Sequence, residues 1–508
     1  MTHLAAGAVA GKGWRRSAAR AAAWACVLCV GGAHGRAVFA QSLQPAGWDA
    51  ELKIREAPDR NPDPRIVEID LEARVASVDI APGQKVEAWT YDGGLPGPLI
   101  RVRVGDRLIV HFTNKLPQPT TVHWHGLRVP IQMDGVPGYS QPEVQPGAQF
   151  TYDFVVPDAG LFWYHPHVAS AAQVGFGLYG PLLVEDPSES ERVGVKDELV
   201  VVLSDIGLDE KGVLESPDSG GTTGMAFGRE GTLVLVNGHT ASAKLTVRAG
   251  APQRWRIVNA AKSRYFSLDL DGQTFVRIGS DGGLQEYPVD STNFVMAPGE
   301  RADVIVTPAG KPGTALTFRS FVFNRGYGSI EFRPAEENLF AVAIADLPAY
   351  AGPPTPKVQR PIAALSSAGA TPINLEFTLE QLRDGSFQYG INHVPFWKAK
   401  PILAKPGDTQ IWTINNTTAW SHPFHLHGFF FQVLDANGVP LRPLAWKDTV
   451  NVPFKETVRL LVRFDDDRPG NWMFHCHILD HADGGLMGAV QVGTPPAGTS
   501  ETPHQHRP

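Results

Sequence analysis

The segment at residues 101–114 reads RVRVGDRLIVHFTN, and its pattern returns in 247–259 (VRAGAPQRWRIVN) and 404–416 (AKPGDTQIWTINN). Each copy places a glycine nine residues before an asparagine, with apolar residues five and seven places after the glycine. This alternation after a turn predicts a β-strand, and its recurrence predicts a threefold repeat. Helix signals are sparse, while short apolar runs separated by Gly and Pro recur. The sequence therefore predicts an all-β protein built from β-sandwiches.

Length and composition narrow the possible classes of protein. At roughly 100 to 200 residues per domain, 508 residues make two to four domains. A hydrophobic fraction of 43% with 19% charged residues, 52 Gly and 42 Pro is typical of an ordered, turn-rich protein and excludes bulk disorder. The formal net charge of −7 argues against nucleic-acid binding, which needs a surplus of Lys and Arg.

The first 40 residues have the composition of an export signal. They contain five Lys and Arg and no acidic residue, and the apolar run Ala21 to Ala33 matches the core of a signal peptide. A stable membrane span is not expected, because it needs about 18 or more apolar residues. The pair Arg15-Arg16 resembles a twin-arginine signal, and we expect cleavage before Gln41. The predicted location is the bacterial periplasm.

Cleavage of that signal would leave one of the three cysteines. Cys26 and Cys29 lie in residues 1–40, so only Cys476 remains in the mature chain. A single thiol cannot form an internal disulfide. Cys476 is therefore expected to be a buried apolar residue, a nucleophile or a metal ligand.

Changes in composition suggest the domain boundaries. A polar joint covers 186–197, and a Pro- and Ala-rich connector precedes the last repeat. Gly220 to Gly231 are expected to form a flexible loop, and His504 and His506 to be tail residues without a ligand role. The predicted segments are the signal 1–40, domain 1 at 41–187, domain 2 at 188–346, the connector 347–372, domain 3 at 373–494 and a disordered tail 495–508.

Four His-x-His units are the main chemical signal. On a strand, residues i and i+2 point to the same face, about 6.6 to 6.8 Å apart, so each unit can offer two imidazoles to a shared cluster. The second pair of units follows the first at offsets of 302 and 310 residues, whereas the middle repeat has Leu268 and Leu270 at the matching positions. Eight imidazoles suit Cu, Zn, Fe or Ni. The units are His123/His125, His165/His167, His425/His427 and His475/His477.

Cys476 lies between two of these histidines. The alternation of a strand turns its side chain to the opposite face, where it could meet His422 and His481. One cysteine and two histidines with a weak axial neighbour define a blue-copper electron-transfer site. A zinc hydrolase also uses paired histidines, but it has no need for a cysteine between two ligands or for eight imidazoles.

These motifs together resemble those of the three-domain multicopper oxidases, the laccase-like family, over essentially the whole mature chain. The resemblance implies three cupredoxin-like Greek-key β-sandwiches, four copper ions, and partners that are O2 and a small reducing substrate. It further implies that four one-electron oxidations are coupled to reduction of O2 to water. The motifs that carry it are HWHG (123–126), HPH (165–167), HPFHLHG (422–428) and HCHILDH (475–481), with GGLPGPLIRVRVGD (93–106), PGERADV (298–304) and WKDTV (446–450).

The resemblance also implies a ligand set. The type 1 copper would be held by His422, Cys476 and His481, and the type 2 copper by His123 and His425. One type 3 ion would take His125, His165 and His477, and the other His167, His427 and His475.

Two departures from the family pattern bear on the mechanism. The family's axial position, ten residues after the cysteine, is Leu486, which predicts a type 1 copper without an axial ligand and with a raised potential; a local bulge could bring in Met487 instead. Asp134 matches a family carboxylate that serves O2 reduction. Several bacterial members have Glu where this chain has Ala482, and Asp480 or Asp483 could substitute for it.

Three functions are compatible with these features. The leading hypothesis is a laccase-like oxidase of phenols or aromatic amines, whose specificity comes from loops near Trp420, Asn324 to Tyr327 and Trp446. The alternative is a metal-ion oxidase, such as a cuprous oxidase in copper tolerance, but the six methionines form no cluster in the sequence. A non-catalytic cupredoxin scaffold is the third, and such relatives lose ligands, whereas none is missing here.

Overall fold

The computed structural model describes residues 42–328, 334–352, 358–497 and 499. The predicted export signal, His504, His506 and most of the predicted tail lie outside the described residues, so export to the periplasm stays a prediction. No helix within the described residues is long and apolar enough to cross a membrane.

The first sandwich consists of two four-stranded sheets, ordered β2-β1-β4-β6 and β3-β8-β7-β5. Their inner faces bury one apolar core that includes Trp124 and Tyr152. The elements are β1 (Ile66–Ala81), β2 (Gln84–Tyr91), β3 (Ile100–Arg103), β4 (Arg107–Asn114), β5 (His123–His125), β6 (Gln149–Val155), β7 (Gly160–His165), α1 (Ser170–Gly175) and β8 (Gly180–Glu185).

The second sandwich pairs a six-stranded sheet, β10-β9-β12-β17-β14-β15, with a five-stranded sheet, β11-β19-β18-β13-β16. Trp48 and Leu52, which precede the first strand of the chain, pack into its core. Helix α2 (Pro187–Val193) joins it to the first sandwich. The elements are β9 (Glu198–Ile206), α3 (Gly221–Phe227), β10 (Leu233–Val236), β11 (Lys244–Val247), β12 (Gln253–Asn259), β13 (Phe266–Leu270), β14 (Phe275–Ser280), β15 (Gly283–Ser291), β16 (Asn293–Met296), β17 (Arg301–Val306), β18 (Ala315–Phe321) and β19 (Glu336–Ile344).

The third sandwich has two five-stranded sheets, β21-β20-β23-β27-β25 and β22-β29-β28-β24-β26. Its first strand begins inside the predicted connector. The elements are β20 (Thr371–Gln381), β21 (Phe387–Ile391), β22 (Ile402–Ala404), β23 (Thr409–Asn416), β24 (His422–Leu426), β25 (Phe431–Leu434), β26 (Thr449–Val452), β27 (Thr457–Arg463), β28 (Gly470–Cys476), α4 (Leu479–Asp483) and β29 (Met487–Val492). The prediction of an all-β protein made of three sandwiches is thereby confirmed.

The sequence repeat has a structural cause in the asparagine that ends β4, β12 and β23. In each copy its amide donates to the carbonyl of a residue four or five positions later, and its oxygen accepts from the N–H two residues later. The side chain thus satisfies the backbone groups of the turn that leaves the strand. The glycine at the other end has a positive φ in all three copies, at Gly105, Gly250 and Gly407.

The prediction of a flexible loop at Gly220 to Gly231 is wrong, because this segment contains helix α3. Glycine and threonine disfavour a helix, so tertiary contacts must supply most of its stability. One such contact is the Tyr389 hydroxyl, which donates to Ala226 O at 2.6 Å.

The strands that carry the histidines occupy equivalent places in the first and third sandwiches. β5 pairs with β7, with His123 opposite His165, and β24 pairs with β28, with His425 opposite His475. Trp124, between two histidines of β5, is fully buried against Tyr152 at a ring distance of 5.3 Å. Burial of the intervening residue in the sandwich core directs the flanking histidines to the opposite side of the sheet.

Candidate metal centre

His422, Cys476 and His481, here called the type 1 site, meet in the third sandwich. The Cys476 Sγ lies 3.4 Å from Nδ1 of His422 and 3.7 Å from Nδ1 of His481. All three side chains are completely buried. Strand β28 supplies the cysteine, β24 supplies His422, and the short helix α4 brings back His481.

Neighbouring groups fix the orientation of both type 1 imidazoles. Nε2 of His422 lies 2.7 Å from Thr418 Oγ1, and Nε2 of His481 lies 3.2 Å from the Tyr389 hydroxyl. Each ring therefore presents Nδ1 to the sulfur. Such outer partners orient a histidine for a metal ion.

The charge states of the type 1 site suit a metal. Burial, with a contribution from the Arg325 guanidinium, lowers the pKa of His422 to about 3, and burial likewise lowers the pKa of His481. Burial raises the pKa of the Cys476 thiol, although the Ile478 N–H and Arg325 oppose it. The imidazoles are neutral, and the thiol gives up its proton when a metal binds.

Leu486, and not Met487, lies with Cys476. Leu486 is fully buried in the same apolar cluster as the cysteine, and its carbonyl accepts the Cys476 N–H at 3.0 Å. Met487 starts β29, pairs with His475 and packs in a separate cluster with Val136. β28 and β29 pair in continuous register from Gly470 opposite Val492 to His475 opposite Met487, without a bulge. This arrangement favours Leu486 as the axial neighbour.

The eight paired histidines, here called the trinuclear site, converge between the first and third sandwiches. Rings from different sandwiches stack directly, with centroids 3.9 Å apart for His123 and His427 and 3.7 Å apart for His125 and His425. His167, His427 and His475 bring one nitrogen each within 4.8 Å of one another, and so do His123, His425 and His427. The ring of His125 lies 5.7 Å from that of His165 and 4.9 Å from that of His477, centroid to centroid. The rings of His165 and His477 are 5.4 Å apart.

The unpaired nitrogens of this cluster test whether it fits a metal. Five of the eight imidazoles donate from Nδ1 to a backbone carbonyl or carboxylate, which leaves Nε2 directed at the cluster. Buried polar atoms are normally hydrogen-bonded, so a group of orphaned ring nitrogens indicates missing ligand bonds. Within the described residues, the buried ring nitrogens that lack a partner include Nε2 of His123, His165, His167 and His425, Nδ1 of His125 and both nitrogens of His477.

Asp134, predicted from the sequence as a functional carboxylate, lies against this cluster. Its Oδ2 accepts from Nδ1 of His427 at 2.9 Å, and its backbone carbonyl accepts from Nδ1 of His123 at 2.7 Å. Its Oδ1 is buried without a hydrogen-bond partner and lies 3.3 Å from Nδ1 of His123. Burial would raise the pKa of Asp134, but the adjacent His427 and His123 outweigh it and hold that pKa well below its usual range.

Asp448, which sequence reasoning missed, is the counterpart of Asp134 in the third sandwich. Its carbonyl accepts from Nδ1 of His425 at 3.0 Å, and its Oδ1 lies 3.3 Å from Nε2 of His125 in the other sandwich. Each aspartate thus holds one histidine by its backbone and another, across the interface, by its carboxylate. The signal was present in the WKDTV motif at 446–450.

Arg301 distinguishes the two carboxylates. It is fully buried in the second sandwich and forms a bidentate ion pair with Asp448, with Nη1 2.7 Å from Oδ1. It also donates to Leu161 O in the first sandwich at 3.2 Å. Arg301 therefore connects all three sandwiches beside the cluster. Removing one partner of such a buried ion pair costs about 3–5 kcal/mol of stability.

Within the part of the chain that the structure describes, neither candidate for a second acid bonds to one of the eight histidines. Asp480 is ion-paired with Arg229, and its Oδ2 accepts the Arg229 N–H at 2.7 Å. Asp483 accepts the Ala171 N–H at 2.9 Å, and burial raises its pKa to about 7. Ala482 packs in the apolar cluster that holds Met487.

The two sites are joined through the backbone at the end of β28 and the residue that follows it. His475 and His477 contribute to the trinuclear site, and Cys476 between them contributes to the type 1 site. An electron at Cys476 therefore has a short covalent path to either histidine.

Comparison with known proteins agrees with this geometry. Sequence profiles described as multicopper oxidase match residues 73–189, 197–325 and 370–496. Multicopper oxidase MmcO of Mycobacterium tuberculosis is 33% identical over 503 residues, which cover 90% of this chain and 94% of that protein.

Solved structures support the same assignment. A multicopper oxidase from Campylobacter jejuni, described as a metallo-oxidase, has a TM-score of 0.77 and 28% identity, covering 87% of this chain and 95% of its own. The laccase-like multicopper oxidase CueO from Ochrobactrum sp., with oxidase activity towards lignin model compounds, has a TM-score of 0.74 and 26% identity, covering 87% and 100%. The predictions of cupredoxin-like domains, copper and an oxidoreductase are confirmed. The chain belongs to the multicopper oxidase family.

Proposed function

We propose that this multicopper oxidase couples four one-electron oxidations of phenols or aromatic amines to the reduction of O2 to water. The observation that carries the proposal is the sequence His475-Cys476-His477, which joins a buried site of one cysteine and two histidines to a buried cluster of eight histidines. A hydrolase needs no such connection between two sites, whereas an oxidase that collects electrons at one place and uses them at another does.

The residue roles are those that the family resemblance implies, and the convergence of these side chains supports them. His422, Cys476 and His481 would hold the type 1 copper, His123 and His425 the type 2 copper, and the other six histidines the type 3 pair. Copper bound in these places would supply one-electron transfer at the first site and O2 reduction at the second. Burial of every ligand keeps bulk water away from the reacting centre.

Asp134 is proposed to handle protons. Its Oδ2 accepts from His427, while its Oδ1 is buried without a hydrogen-bond partner, so Oδ1 is the atom that would take up a proton and pass it on during O2 reduction. Asp448 is unsuited to this role because both of its oxygens are bound to the Arg301 cation. It would instead hold His125 and His425 in position.

The surroundings of the type 1 site favour an aromatic substrate over a metal ion. Oxidation of a soft ion such as Cu(I) calls for thioether ligands. Among the described residues, Met225 packs against the apolar cluster of the type 1 site, while Met487 packs elsewhere. Three aromatic side chains, Phe227, Tyr327 and Trp420, lie near one another beside the site. The named relatives include both a metallo-oxidase and a laccase-like enzyme.

A direct comparison of substrates tests the proposal. The copper-loaded protein is expected to consume O2 with a phenol such as 2,6-dimethoxyphenol at a kcat/KM at least about tenfold above that for Cu(I). Oxygen uptake measured under matched conditions checks this, with apoprotein as the control for uncatalysed oxidation. A larger kcat/KM for Cu(I) would identify a metal oxidase instead.

The axial assignment predicts a change in redox potential. In Leu486→Met a thioether would stabilise the oxidised type 1 copper and lower its reduction potential by on the order of 60 mV or more, because a tenfold preference corresponds to about 59 mV for one electron. Redox titration of the blue absorption measures it. Met487→Leu is the matched control and should leave the potential unchanged; the opposite pattern would place Met487 at the axial position.

The carboxylate assignment predicts a selective kinetic defect. Asp134→Asn keeps a hydrogen-bonding side chain but cannot take up a proton, so reoxidation of the fully reduced protein by O2 should slow by about 100-fold. Stopped-flow absorption measures that step, and the blue absorption and its rate of reduction by substrate should be retained. Wild-type reoxidation by the variant would refute the role.

A further inference from the structure

The His481 side of the type 1 site is closed by helix α3 and the residue that follows it. The Tyr389 ring stacks on His481 at a centroid distance of 4.4 Å, and its hydroxyl bonds to Ala226 O in α3. Gly228 passes so close that a Cβ there would lie 2.5 Å from Ile478 Cγ2 and 3.3 Å from His481 Nε2. An aromatic substrate has no room to touch His481 in this structure.

The His422 side, by contrast, leads to the surface through a chain of short contacts. Nε2 of His422 lies 2.7 Å from Thr418 Oγ1, which donates to Trp420 O at 3.0 Å. Trp420 Nε1 in turn donates to Tyr327 O at 2.8 Å. The Trp420 side chain is buried, whereas the Tyr327 side chain is 72% exposed to solvent. Every gap between residues along this path is bridged by a hydrogen bond.

The path crosses from the third sandwich to the second, and the two backbones are in close contact where it crosses. Gly326 forms a β-bridge with Trp420, and Tyr327 N donates to Ala419 O at 3.1 Å. A Cβ at Gly326 would lie 2.1 Å from Ala419 O, and its φ of 129° disfavours any other residue. Asn416, the repeat asparagine of this sandwich, holds Trp420 O from the other side at 2.7 Å.

The outer end of the path is aromatic. The Phe227 ring lies 5.0 Å from the Trp420 ring in a T-shaped arrangement and 6.4 Å from the ring of Tyr327. Planar rings pack on such surfaces in offset-stacked or edge-to-face contacts. A phenol or aryl amine therefore has a surface of matching chemistry at Tyr327.

We propose that reducing substrates dock at Tyr327 and that their electrons enter the type 1 site through Trp420, Thr418 and His422 rather than through His481. In each event the substrate would lose one electron, which passes to a copper ion held by His422, Cys476 and His481, and would release one proton to solvent. Electron tunnelling favours such a route because coupling decays less through covalent and hydrogen bonds than through empty space. The proposal deepens the proposed function and rests on it.

Two variants test the route at different points. Trp420→Leu removes the indole from the path, and Tyr327→Ala removes the exposed ring of the docking surface. The matched control is Trp397→Leu, because Trp397 is a partly exposed tryptophan beside Gly485 on another side of the type 1 site. The measurement is the rate at which excess 2,6-dimethoxyphenol bleaches the blue absorption under anaerobic conditions, together with the type 1 potential by redox titration.

In Trp420→Leu we expect bleaching at saturating phenol to slow at least tenfold, with the blue absorption and potential unchanged. In Tyr327→Ala we expect a higher half-saturating phenol concentration with an unchanged limiting rate, and in Trp397→Leu the wild-type rate throughout. Wild-type bleaching in both path variants would overturn the proposal. If wild-type protein is bleached only by Cu(I), the aromatic-substrate proposal fails, and the same Trp420→Leu comparison with Cu(I) still decides the route.

Discussion

The alternation of side chains at the end of β28 is the constraint on which the rest of this protein depends. A strand sends neighbouring side chains to opposite faces, so Cys476 enters the core of the third sandwich while His475 and His477 face the first. The spacing of the two sites is therefore set by the backbone of three consecutive residues.

The trinuclear site forms only if the first and third sandwiches meet in one orientation. The pair Asp134 and Asp448 enforces it, because each carboxylate reaches a histidine of the opposite sandwich while each carbonyl holds one of its own. The second sandwich has no copper histidines at the repeat positions, yet it supplies Arg301, which bonds to both neighbours. Its role in the centre is to fasten the other two and, through α3, to cover the type 1 site.

Much of the fold and of the site could be predicted from the sequence, because both depend on the spacing of residues that are close together in the chain. The repeat predicted the sandwiches, and the His-x-His units with Cys476 predicted which residues converge. Asp448, Arg301 and Thr418 were missed because their roles depend on contacts between distant segments, and each residue type is also common at ordinary surface or core positions. Helix α3 was missed for a related reason: its glycines and threonines give no helical pattern, and contacts such as Tyr389 to Ala226 hold it.

The most direct test of two linked copper sites compares the copper content and the visible and electron paramagnetic resonance spectra of the copper-loaded protein with those of Cys476→Ser. The parent protein is expected to show a blue absorption and a type 2 signal. The variant should lose the blue absorption and one copper ion while keeping the type 2 signal, because the eight histidines do not need the cysteine to hold their metal. A blue absorption that survives in Cys476→Ser, or a parent protein that lacks both signals, would contradict the assignment of the two sites.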